Sequence, residues 1–83
     1  MARAKSWYKD FIGKRVTIRD KNGVLYKGRF LGFVNQRIFL QDVKVLKNNK
    51  NRDFSLLTLE VHSLHCLYSS SEKITRLISF KPG

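Results

Sequence analysis

Few residues of this chain have the types and spacing that chemistry needs. His62-x-x-His65-Cys66 offers metal-ligand side chains, but on a strand a spacing of three sends the two imidazoles to opposite faces. A structural zinc site needs four converging ligands, so the run reads as polar positions beside a bulge, and no metal is expected. The six carboxylates are scattered singly, and no nucleophile stands near a base. Asp42 falls at the rim of a strand, where it is expected to bond backbone or to pair with Lys44 or Arg29. The chain therefore reads as non-enzymatic, with no cofactor, no catalytic residue and no small-molecule substrate.

What remains is cationic and aromatic. There are 17 Lys and Arg against 6 Asp and Glu, a formal net charge of +11. Such an excess repels itself and implies an acidic partner. Nucleic acid, or an assembly that contains it, is the expected partner, and a merely solvated surface is the alternative. No basic amphipathic helix of useful length is visible, so no membrane surface is expected. The stretch Lys47-Asn48-Asn49-Lys50-Asn51-Arg52-Asp53 reads as a loop, either a phosphate-contacting arm or a solvated turn. Trp7 and Tyr8 have the chemistry to stack on bases, but at the start of a helix they are expected to pack that helix onto the body.

These groups must be positioned by a small body. Eighty-three residues make one domain with a modest core, here residues 6–83 behind a basic tail, 1–5. Cys66 is the only cysteine, which fits a reducing compartment. No apolar run near the start resembles a signal peptide, and no segment approaches the length of a membrane span. An intracellular location is expected, nucleus and cytoplasm if the chain is eukaryotic.

Period-two alternation dominates the chain and predicts strands. A brief α-helix from Ser6 to Ile12, with Tyr8, Phe11 and Ile12 on one face, should end at Gly13. A first strand around Val16 and Ile18 leads into the hairpin signal Asn22-Gly23. The second strand, about Val24 to Val34, points Val24, Tyr26 and Phe30 inward. Its Gly28 and Gly32 predict a sharp bend or a close backbone approach. A tight connection at Asn35-Gln36-Arg37 precedes a third strand, Ile38 to Leu46. A long fourth strand is predicted over about Phe54 to Tyr68, and a fifth carries Ile74, Ile78 and Phe80. The expected fold is mainly β, a five-stranded, strongly bent, partly open antiparallel barrel with a short N-terminal α-helix. Its edges would be the fourth and fifth strands, apolar and nearly uncharged. That composition predicts edge-to-edge pairing through Leu57, Leu59, Val61, Ile74, Ile78 and Phe80, or else side chains that simply face the core.

Over residues 11–43 the chain resembles the Sm/LSm family. The residues that carry this are Ile12-Gly13-x-x-Val16-x-Ile18, Asn22-Gly23, Tyr26-x-Gly28-x-Phe30-x-Gly32-Phe33 and Leu40-x-Asp42. The resemblance implies an Sm-like (SH3-like) barrel whose copies join fourth strand to fifth strand, with RNA and other Sm-fold proteins as partners. In the RNA-binding members an acidic residue, an aromatic or Met, and an Asn follow the Gly-aromatic pair, and an Arg-Gly or Lys-Gly pair precedes the last strand. Here Asn35 and Arg37 take the outer positions of a shorter loop with no aromatic between them. Lys73 is the one basic substitute in the second motif. By resemblance, Asn35, Arg37 and Lys73 are the RNA-contact candidates.

Trp7-x-x-Asp10-Phe11-Ile12-x-Lys14-x-Val16-x-Ile18, Tyr26-Lys27-Gly28 and the closing Ile78-Ser79-Phe80-Lys81-Pro82 are also similar to the Sm-fold Gemin subunits of the SMN complex. These keep the fold and its edge pairing but lack the pocket residues. The leading expectation is thus a Gemin-type scaffold for small nuclear ribonucleoprotein assembly. The alternatives are a ring-forming LSm protein that binds uridine-rich RNA directly, and a basic SH3-like barrel that binds DNA.

Overall fold

Alternation along this chain produces one antiparallel sheet, bent round its own apolar face. The computed structural model describes residues 3–69 and 77–80. A 3-10 helix, Arg3–Phe11, leads into β1 (Arg15–Asp20), β2 (Leu25–Val34), β3 (Arg37–Lys47) and β4 (Lys50–Glu60). A 3-10 turn, Val61–Ser63, follows, then β5 (Leu64–Ser69) and β6 (Leu77–Ser79). The strands lie in the order β4-β3-β2-β1-β5-β6. The chain is mainly β, as expected from its alternation.

The helix is of 3-10 rather than α type and starts three residues before the expected cap at Ser6. With three residues per turn, i and i+3 eclipse, which aligns Tyr8 with Phe11. Phe11 is fully buried, whereas Ile12 lies beyond the helix and is 49% exposed. Trp7 and Tyr8 pack onto the body: Trp7 lies 5.3 Å from Phe33 and 5.6 Å from Phe80, and Tyr8 lies 5.5 Å from Phe33, between ring centroids. Tilted and edge-on aromatic pairs of this kind add to plain burial.

The core is a single cluster that includes Phe11, Val16, Ile18, Phe30, Ile38 and Leu40, closed by Val43, Leu59, Leu64 and Leu67. Two bulges bend β2 against β3 around it. Asp42 and Val43 together oppose Gly28, and Asp42 takes the left-handed conformation at φ 53°. Leu31 is the extra residue of the second bulge, between the pairs Phe30↔Leu40 and Gly32↔Phe39. That bulge is why the apolar pattern slips there. Gly28 is a close approach, since an added Cβ would lie 3.0 Å from Val43 Cγ2 and 3.1 Å from the Gln41 carbonyl oxygen. Gly32 is not, because a Cβ there would meet open space.

Three tight hairpins join the first four strands. At Asn22-Gly23 the Asp20 carboxylate accepts hydrogen bonds from the Asn22 and Val24 amides, at 2.8 and 2.9 Å. Gly23 supplies the positive φ, 87°. Asn35-Gln36 and Asn48-Asn49 are two-residue turns with both φ values positive, the type I′ geometry that matches strand twist. The second of these overturns the loop expected over 47–53. Lys47 ends β3, only Asn48 and Asn49 turn, and Lys50–Asp53 already pair in β4.

The fourth strand expected over 54–68 is likewise two strands. Val61–Ser63 breaks it, held by Ser63 Oγ donating to the Glu60 carbonyl and by the Lys21 amide donating to the Ser63 carbonyl. Val61 therefore stands in a turn and not on a strand. The consequence is topological. β5 lies inside the sheet, between β1 and β6, so the sheet edges are β4 and β6.

Candidate functional site

The expected RNA loop and the 3-10 turn meet at one end of the barrel. Asn35 and Gln36 project from the β2–β3 hairpin, closed by the pair Val34↔Arg37. The Val61 amide donates to the Gln36 carbonyl at 2.9 Å, which ties the turn to this hairpin. Asn35 is exposed. Arg37 faces Glu60 across β3 and β4, with its guanidinium 3.7 Å from the carboxylate and both side chains more than half exposed. A pair so open to water holds Arg37 only loosely. The hairpin thus offers basic and amide groups, with no aromatic residue among Asn35, Gln36 and Arg37. Lys73 lies outside the described residues.

Of the six apolar residues expected at a strand edge, Leu57 and Leu59 lie on β4 and Ile78 on β6, the two edge strands among the described residues. Leu59 is buried in the core and Leu57 packs against it. Val61 is in the turn. Ile78, on β6, pairs with Leu67, and Phe80 sits against Trp7, with its amide donating to the His65 carbonyl at 2.9 Å. Ile74 lies outside the described residues. Leu57, Leu59, Val61, Ile78 and Phe80 thus sit in or against the core. What β4 presents outward is backbone, since among the described residues no strand pairs with its outer side, and the exposed side chain of Leu56. The outer side of β5 is occupied by β6.

The remaining polar candidates do not converge. His62 is exposed in the turn, His65 is exposed on β5, and Cys66 is buried. Among the described residues no three His, Cys, Asp or Glu side chains are grouped to hold a metal ion. Asp42, the left-handed residue of the first bulge, makes neither of its expected ion pairs, with Lys44 or Arg29.

The sequence reading missed the network at Asp20. Besides its two turn amides, this carboxylate accepts the Tyr26 hydroxyl at 3.1 Å. Burial first, then the hydrogen bond and the negative charge of Asp20, push the Tyr26 hydroxyl up to about 12. The signal was present as Asp-x-Asn-Gly, an Asx turn followed by glycine.

A helix followed by a bulged antiparallel sheet, turning at 61–63 before the strand that pairs back to β1, defines the Sm fold, and this chain has it. A P. aerophilum SmAP1 heptamer subunit superposes with a TM-score of 0.74 at 14% identity, covering 87% of this chain and 99% of that one. The Sm protein of Pyrococcus abyssii, solved with a uridine heptamer, gives 0.68 at 14% identity over 75% and 90%. A chain of the NatC complex bound to CoA gives 0.65 at 18% identity over 71% and 78%. At these identities the likeness is one of fold. No family sequence model matches the chain, and no curated protein sequence does.

Proposed function

We propose that the chain is a non-enzymatic Sm-like subunit of a ribonucleoprotein assembly or RNA-processing complex, which binds RNA and pairs by strand edges with other Sm-fold chains. The observation that carries this is the unpartnered outer edge of β4, among the described residues, on an Sm fold that carries a net charge of +11. A free edge recruits a strand through backbone hydrogen bonds, with specificity from alternate side chains. The Sm-fold neighbours are heptameric in one case and bound to uridine in another, which supports assembly with RNA. The basic surface would bind phosphate without reading sequence, and Asn35 and Arg37 would add contacts at the hairpin end.

Light scattering on the purified chain at moderate salt, with and without a uridine-rich single strand, tests this. Self-pairing predicts a closed assembly of roughly six to eight copies that binds RNA. A chain that neither assembles nor binds RNA refutes the reading.

One observation favours a second reading, the scaffold of the Gemin type that pairs with a different Sm-fold protein in small nuclear ribonucleoprotein assembly. β6 pairs with Cys66, Leu67 and Tyr68 on the outer side of β5, so among the described residues the sheet edges are β4 and β6, and β5 is not open to a neighbour there. This reading predicts a monomer or dimer that grows only when another Sm-fold chain is supplied.

A further inference from the structure

At the other end of β3 from Arg37, the hairpin tips of β1–β2 and β3–β4 enclose an open cleft of about 930 Å³. It is lined by the exposed Lys47, Lys50 and Arg52 and by the half-buried Tyr26, Val45 and Phe54. Lys47 and Lys50 face each other directly across the Asn48-Asn49 turn. Like charges placed opposite each other destabilise a hairpin unless something neutralises them. Nothing in the described fold does so, since among the described residues none of the three cations forms an ion pair. The one carboxylate in the cleft, Asp20, already accepts from two backbone amides and the Tyr26 hydroxyl. That engagement also fixes the orientation of the Tyr26 ring. Phe54 and Tyr26 are each partly exposed, beside cations and within a concavity.

We infer that this cleft is a second nucleic-acid site, remote from the Asn35–Arg37 hairpin. It would take a single-stranded segment with phosphates on Lys47, Lys50 and Arg52 and a base against Phe54 and Tyr26. Cations that track the backbone beside an aromatic platform are the combination that binds single strands with little sequence preference. Asn22 and Asn48, exposed residues that also line the cleft, would supply amide groups for base edges. The inference rests on the proposed RNA function and adds to it a location and a binding mode.

The test is fluorescence anisotropy with labelled ten-nucleotide oligouridine and oligoadenine on the full chain, over a series of salt concentrations. The double variant Lys50→Ala/Arg52→Ala should weaken both ligands at least tenfold. It should also flatten the log–log salt dependence by roughly 1 to 1.5, at about 0.7 for each phosphate of a single strand left without its cation. The charge-matched control Lys27→Ala/Lys44→Ala, on exposed positions outside the cleft, should change the slope much less. Phe54→Leu keeps the apolar volume and should weaken binding about fivefold or more with the slope unchanged, as loss of stacking requires. Equal losses in the cleft and control variants would overturn the site while leaving the RNA function standing. A changed assembly mass with unchanged RNA affinity would also overturn it, in favour of a subunit contact. No RNA binding by the unaltered chain would remove both proposals.

Discussion

Asp20 shows how much of this fold hangs on single side chains. Its carboxylate satisfies two amides of the first hairpin and a tyrosine hydroxyl while itself 9% exposed. Asp20→Ala strands those donors and should cost about 2 kcal/mol in urea unfolding. An unchanged midpoint would show that water replaces the carboxylate. The bond to Tyr26 has its own pH signature. The folded chain holds the Tyr26 proton up to about 12, whereas a free tyrosine titrates near 10. The resulting stabilisation is fully present below pH 10 and is lost as pH rises through 12. The stability difference between the natural chain and Tyr26→Phe should therefore hold steady up to about pH 9 and shrink above about pH 10. A difference independent of pH across that range would count against the bond. Gly28 sets a steric limit: Gly28→Val would drive methyls into Val43 and the Gln41 carbonyl. It should cost about 3 kcal/mol or more, visible as a lowered melting temperature, whereas Gly32→Ala should be near neutral.

Among the elements, alternation made the first three strands legible, and the glycine and apolar slip near position 31 announced the bulges. The helix face and the break at 61–63 were harder to read. Leu57, Leu59 and Val61 keep odd parity, and beyond the turn buried positions fall on both parities, Leu64 and Cys66 even, Leu67 and Ser69 odd. Every residue around the turn is compatible with a strand, so alternation alone runs straight through. The Asn48-Asn49 turn was hidden for the opposite reason. Its flanks are so polar that they read as loop, and only pairing with β3 makes them strand. The role of Phe80 depended on a contact with Trp7, more than seventy residues away in sequence, which no local pattern encodes. Trp7 is the sole tryptophan, so its emission reports this contact. Phe80→Ala should shift that emission to the red and loosen β6, while an unshifted spectrum would show that Phe80 does not shield the indole.

For the whole molecule, charge and edge act together. On the proposed assembly, an excess of +11 would keep copies apart at low salt, while the open backbone of β4 would draw a strand in. Assembly should therefore grow as salt rises, even as RNA binding weakens. Leu56, 62% exposed on β4, is the place to tip that balance. Leu56→Lys adds a charge to the open edge and should lower the solution mass while circular dichroism stays that of the folded chain. An unchanged mass would move the contact elsewhere.

The three residues of β6 form a tethered competitor for the outer side of β5. Seven residues separate β6 from β5, so β6 competes for that edge from within the same chain, at a strength that dilution does not change. An incoming strand must outcompete it before a second neighbour can join. Association at β5 would thus have a threshold, silent for weak or dilute partners and open to strong or concentrated ones. The position of that threshold would be set by how firmly Phe80 is seated.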